Sequence, residues 1–211
     1  MKVFVRMSQP HSRKIVAVID ELNLRDEITL VTNIDKMGFD FNPLGITPCL
    51  VCEGFYILGV QNICRFFFDQ SCNTLIPSSK AERMRMEHFD SLGDGIVDLI
   101  CIAKEREINS DLLLSSNNKQ LDRVLNALNY VENSSHFFDA IFDLSHISIA
   151  VAFEYWLSTD SKRSDLQFPN LKQLLAKVRS RNNFTHLSKR SELDCNLSRS
   201  QMIKRARLAL Y

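Results

Sequence analysis

The sequence predicts a mixed α/β unit followed by an all-helical one. Three observations carry this: a strand–helix–strand order at the start, an apolar hairpin before residue 59, and helical periodicity through most of the chain after residue 79. At 211 residues, with 45% hydrophobic and 24% charged side chains, the chain can bury a sizeable core. No run of ~18 uncharged apolar residues is present, which excludes a membrane-spanning helix. Charge arrives too soon in Met1–Arg6 for a secretory h-region, so a cytoplasmic location is expected.

Lys2–Arg6 alternates apolar and polar residues and reads as a strand. Pro10 stands at a first helical position, where its missing N–H costs nothing. Ile15, Val18, Ile19 and Leu22 then recur at helical spacing. Glu27–Val31 reads as a second strand, and a strand–helix–strand start implies a parallel pair. Asn42-Pro43-Leu44-Gly45 is a turn. Ile46–Cys52 and Phe55–Leu58 form a hairpin about Glu53-Gly54, and Val60–Phe67 is helical.

The segments Met7-Ser8-Gln9-Pro10-His11-Ser12-Arg13-Lys14, Asn42-Pro43 with Ile46-Thr47-Pro48-Cys49-Leu50, and Gly59-Val60-Gln61-Asn62-Ile63 together resemble the glutathione S-transferase family, closest to the bacterial type. The resemblance implies a thioredoxin-like N-terminal domain (1–70), a linker (71–78) and an all-helical C-terminal domain (79–211). It also implies glutathione as co-substrate, a small apolar electrophile as second substrate, a homodimer, and a role in detoxification. In the family the three segments are the active-site turn, the cis-proline strand, and the turn that holds glutathione's γ-glutamyl end.

Each segment departs from the family pattern in a particular way. Thr47 and Pro48 preserve the element that pairs main chain to main chain with an extended peptide. Family members that activate glutathione place Ser, Tyr or Cys near the start of the first helix, where a donor favours the thiolate. Here Gln9 precedes Pro10, and Ser12 lies one turn on, so Gln9 or Ser12 is expected to steady the sulfur. Ser8 is a nearby substitute. An acid followed by Ser usually opens the third helix of the family; Gly59 and Val60 stand there instead, with Gln61 as partial compensation. Losing two charged contacts of ~1.5–3 kcal/mol each weakens glutathione by ~10²–10⁴-fold.

Gln9-Pro10-His11-Ser12 also occupies the place of Cys-Pro-His-Cys in thiol oxidoreductases of this fold, and both sulfurs are missing. Thiol–disulfide exchange is not expected there. Cys49 and Cys52 lie three apart on a strand, so they point to opposite faces and share neither a disulfide nor a metal. All six cysteines (49, 52, 64, 72, 101 and 195) are expected to be reduced.

Beyond the linker, with Ser78 or Ser79 as cap, Phe89, Leu92, Ile96, Leu99, Ile100 and Ala103 share one helical face, and the period runs through Asp94-Gly95. Asp94–Asp98 resembles the family's long fourth helix, and Gly95 is expected to allow a close approach. A second amphipathic helix spans about Lys119–Val131. Leu144–Phe153 is a buried apolar helix with Ser145 as N-cap; Ser148 stands where the family's Ser/Thr-x-x-Asp box has Asp. His146 has no carboxylate partner at a recognisable spacing and reads as structural. Pro169 opens a further helix resembling the family's seventh.

Charge is uneven along the chain. With 26 basic and 25 acidic residues the net charge is +1, yet Leu171–Tyr211 holds ten Lys/Arg and two Asp/Glu, or +8, leaving −7 for residues 1–170. The tail lacks interleaved aromatics, so it reads as a solvated helix and not as a nucleic-acid site. No metal spacing, P-loop or dinucleotide fingerprint occurs. A rival to the enzyme is also implied by the resemblance. Some relatives keep the fold, lose the glutathione residues and act as interaction proteins, the stringent starvation protein that binds RNA polymerase being one type. In that case the basic tail is the contact.

Overall fold

The computed structural model describes residues 1–33, 42–71, 75–109, 114–139, 141–159 and 167–181. The basic tail beyond Arg181, Cys72 and Cys195 lie outside them. The N-terminal elements are β1 (Lys2–Phe4), α1 (Pro10–Glu21), β2 (Thr29–Val31), β3 (Cys49–Cys52), β4 (Phe55–Leu58) and α2 (Val60–Gln70). The helical part consists of α3 (Lys80–Asn109), α4 (Leu114–Asn133), a 3₁₀ turn (Ser135–Phe138), α5 (Leu144–Thr159) and α6 (Pro169–Arg179).

The sheet has the order β2-β1-β3-β4, with β1 and β2 parallel and the other pairs antiparallel. The parallel pair and the antiparallel hairpin are as the sequence predicts. The period of two sorts each strand's side chains between the two faces. Val3, Val5 and Leu50 enter the main core beneath α1 and α2, while Phe4 and Cys49 pack on the opposite face beside Val31, Tyr56 and Leu58. Cys49 is fully buried and Cys52 half-buried at the hairpin; both are free thiols, as are Cys64 and Cys101.

The α3 face expected from periodicity is the buried one. Phe89, Ile96, Ile100 and Ala103 are in the core, and the helix runs unbroken through Asp94-Gly95. Ser79 caps it, its Oγ accepting the Glu82 N–H at 3.4 Å. Leu75, within the expected linker, is fully buried, and its carbonyl accepts the Leu144 N–H at 3.1 Å. That bond ties the connection to the start of α5.

α5 is buried all round and runs through the centre of the helical layer, with every residue from Leu144 to Trp156 buried. Two expectations about its surroundings need correction. The close approach is made by Gly93, where a Cβ would lie 2.8 Å from the Ser148 carbonyl carbon; a Cβ on Gly95 would meet nothing within 4 Å. The cap of α5 is Asp143, whose Oδ1 accepts the Ser145 N–H at 3.0 Å and the Ser145 hydroxyl at 2.5 Å. Ser145 therefore sits inside the first turn. Asp143 is the better cap because its carboxylate also meets Arg85 at 3.0 Å and the His146 Nδ1 at 2.9 Å.

Candidate functional site

The loop after β1 is folded back on itself, with the Gln9 N–H donating to the Arg6 carbonyl at 2.8 Å. Gln9 becomes the N-cap residue of α1, extended at φ −92° and ψ 129°, with Pro10 behind it. Its amide does not cap the helix; instead the Thr47 hydroxyl donates to Gln9 Oε1. With the oxygen engaged, the Gln9 NH₂ remains as the donor. Ser12 is fully buried, and its Oγ accepts the Arg6 N–H at 3.1 Å. It fastens the end of β1 to the first turn of α1, beneath Gln9. Ser8 is exposed on the same turn.

Thr47 and Pro48 lead into β3, and the bond between them is cis. Asn42, fully buried, holds this approach through Nδ2 to the Ile46 carbonyl at 2.8 Å. No hydrogen bond among the described residues engages the Thr47 N–H or C=O. An unpaired main-chain donor and acceptor beside a side-chain amide is a strand-like docking edge for a peptide.

The third expected element is the start of α2. Gly59 is its N-cap residue at φ +88° and ψ 129°, a conformation open to glycine and strained for other residues. No side chain caps this helix, so its first N–H groups are available to an anion. Gln61 is exposed, whereas Val60 packs partly against the core. The glycine conformation adds something the sequence could not show. An acid at position 59 would bear backbone strain of ~1–3 kcal/mol, so the family's acid cannot be restored there without cost.

Residues 10–70 match the family model of the glutathione S-transferase N-terminal domain. The chain also has the glutathione S-transferase fold. The structure superposes on a Methylobacillus flagellatus glutathione S-transferase with glutathione bound, at a TM-score of 0.77 and 22% identity over 87% of this chain and 96% of that one. A Pseudomonas fluorescens family member with bound S-(propanoic acid)-glutathione gives 0.75 at 22% identity over 87% and 96%. A domain-containing protein of the family from Marinobacter aquaeolei gives 0.73 at 16% identity over 88% and 100%. No curated protein matches the sequence significantly.

Behind the Gln9–Pro10 turn of this glutathione S-transferase fold lies a cluster that sequence reasoning missed. Lys14 is 1% exposed, and its Nζ donates to Asp90 Oδ1 at 2.7 Å and to Asp94 Oδ1 and Oδ2 at 2.8 and 2.9 Å. The Ser148 hydroxyl donates to the same Asp90 oxygen. One lysine thus joins α1 to α3 and, through Ser148, to α5. Burial pushes the Lys14 amine down, but Asp94 and Asp90 outweigh it and the net shift is upward. Burial also pushes the neighbouring Cys64 thiol up to about 12, which keeps it unreactive. The available signal was a pair of carboxylates four apart on α3, one helical face.

His11 stands on the exposed side of this cluster, Nε2 2.9 Å from Asp98 Oδ1 and Nδ1 3.9 Å from Asp94 Oδ1. A second junction was equally hidden: Glu154, buried on α5, takes Arg13 at 3.0 Å from α1 and Arg179 at 2.6 Å from α6. His146 is fully buried, donating neither to solvent nor to a cleft; its Nε2 lies 3.2 Å from the Phe138 carbonyl. It does have a carboxylate partner, Asp143, three residues back.

A cavity of about 220 Å³ lies on the linker side, lined by Ile76, Pro77, Glu82, Arg85, Ile141 and Phe142 among others, none of them from the Gln9–Thr47 corner. Among the described residues no group of three His, Cys, Asp or Glu side chains could hold a metal. No described helix is long and apolar enough to cross a membrane.

Proposed function

We propose that this chain binds glutathione in the corner formed by Gln9, Thr47 and the start of α2, and that it conjugates the thiol slowly to small apolar electrophiles. The observation that carries the reading is the Thr47–Gln9 contact, which puts a donor amide beside an unpaired main-chain edge. The Thr47 main chain and Pro48 hold the peptide, and the α2 N-terminus at Gly59, Val60 and Gln61 receives the γ-glutamyl carboxylate. Gln9 steadies the sulfur, with Ser12 fixing the turn from below. The thiolate sulfur forms a bond to the electrophilic carbon, and the leaving group departs with its electron pair. An amide stabilises thiolate less than an acidic hydroxyl does, so turnover is slow.

Domain limits of 1–70 and 79–211 about the linker 71–78, a cytoplasmic location, a detoxifying role and a homodimer belong to the same reading. The interaction-protein alternative is favoured by one observation, the glycine backbone at position 59, which stands where the family's ammonium partner would be.

Calorimetric titration decides between them. Glutathione should bind the wild type in the high-micromolar to millimolar range. Val60→Ser, which supplies a carboxylate donor without touching the Gly59 backbone, should tighten it by about tenfold, equivalent to ~1.4 kcal/mol. Binding by neither form would favour the interaction protein.

A further inference from the structure

The 220 Å³ cavity lies between the linker, the first turns of α3 and the approach to α5, away from the Gln9–Thr47 corner. A void of ~150 Å³ holds a benzene ring, so this one has room for a body of that size and a small head group. Ile76, Pro77, Ile141 and Phe142 supply apolar walls. Phe142 is fixed by the Arg181 guanidinium over its ring at 4.1 Å and by the His146 ring at 4.9 Å. Ile141, its neighbour in the chain, is 74% exposed and has apolar surface left to bury.

The charged groups that line the cavity are Glu82, Arg85 and Asp143. Asp143 is buried and already engaged by Ser145, His146 and Arg85. Arg85 is half-buried and gives one N–H to Asp143 at 3.0 Å; its other N–H groups meet no acceptor among the described residues. The Glu82 carboxylate, also half-buried, has neither a cation nor a hydrogen-bond donor among the described residues. Glu82 and Arg85 stand three apart on α3, a spacing at which an acid and a base ordinarily face each other. Here Arg85 turns to Asp143 instead, and Glu82 is left unpaired.

An unpaired carboxylate and a guanidinium with spare donors, one helical turn apart and set among apolar walls, complement a molecule with an ammonium, a carboxylate and an apolar body on one carbon. We propose that this cavity binds a free apolar α-amino acid, its carboxylate held by the spare N–H groups of Arg85, its ammonium by Glu82, and its side chain by Ile76, Pro77, Ile141 and Phe142. Neither charge alone fits as well. A simple carboxylate adds a second negative charge beside Glu82, and a simple amine leaves the Arg85 donors unmet. This site does not depend on the glutathione reading.

L-phenylalanine is the probe, and 3-phenylpropanoate and phenethylamine present the same body with one charge removed. In a chemical-shift titration of the full chain labelled at its isoleucine methyls, L-phenylalanine should move Ile76 and Ile141 and leave Ile46, beside Thr47, in place. Each analogue should bind at least ~5-fold more weakly, as should L-phenylalanine to Glu82→Gln, whose side chain has no described partner to lose. The same variant should bind 3-phenylpropanoate no more weakly than the wild type does. Arg85→Lys keeps a charge for Asp143 but loses the fork, and should weaken L-phenylalanine and 3-phenylpropanoate alike. Should that variant fail to fold, Glu82→Gln decides. An analogue as tight as the amino acid, an unchanged affinity in Glu82→Gln, shifts confined to Ile46, or no binding up to ~10 mM would each overturn the proposal.

Discussion

Replacing Lys14 by Met tests the cluster that joins α1 to α3 and α5. The lysine is 1% exposed and gives three hydrogen bonds of 2.7–2.9 Å to two carboxylates. Met retains the unbranched stem and its packing, so the change removes charge with little change in volume. It leaves Asp90 and Asp94 facing each other without a cation. Breaking a buried pair in this way costs ~3–5 kcal/mol, against a total stability of ~5–15 kcal/mol for a domain. At ~2–4 °C per kcal/mol for a chain of this size, the midpoint should fall by ~6–20 °C. Urea unfolding followed by far-ultraviolet circular dichroism at neutral pH gives the value. Adding Asp90→Asn and Asp94→Asn to Lys14→Met should recover most of the loss, because neutral amides of the same shape carry no unpaired charge. A single-mutant loss below ~1 kcal/mol, or a triple mutant no better than the single, would refute the reasoning. The sign of the pH dependence is also fixed. The Lys14 proton is held more tightly in the folded state, so its contribution is fully present below the ordinary 10.5 and disappears only as pH rises through the higher folded value.

Burial pushes the Asp143 carboxyl up, but hydrogen bonds from His146, Ser145 and Arg85 win and hold it below the usual 3.8. Asp143→Asn should therefore cost stability above pH ~4, and the difference from wild type should vanish as pH falls through the depressed folded value; an equal cost at every pH would contradict this. Gly93→Ala should destabilise by ~1–3 kcal/mol because its Cβ strikes the Ser148 main chain, whereas Gly95→Ala, facing open space, should stabilise by up to ~1 kcal/mol. Paired thermal melts compare the two, and like signs would show that the α3–α5 crossing is misjudged. Titration of thiols under denaturing, non-reducing conditions should return all six cysteines, four of which are free thiols in the structure; a return short by a pair would reveal a disulfide.

The sequence by itself determined the elements and their order. Alternation at Lys2–Arg6, Pro10 at a helix start, the hairpin about Glu53-Gly54 and the apolar face of Phe89, Ile96 and Ile100 are local signals, each set by backbone geometry within a few residues. The same locality made the site segments legible by resemblance, down to the loss of acid and hydroxyl at Gly59 and Val60. Only the tertiary structure decided the pairings between elements far apart in the chain. Nothing local to α1 marks Lys14; α3, some 80 positions on, places two carboxylates around it. Gly93 and Gly95 are alike in sequence, and only the path of α5 across α3 tells which is irreplaceable. Asp143 took the cap from Ser145 because Arg85, on another helix, was there to share it. Burial and long-range electrostatics depend on which surfaces meet, and no periodicity within one segment encodes that.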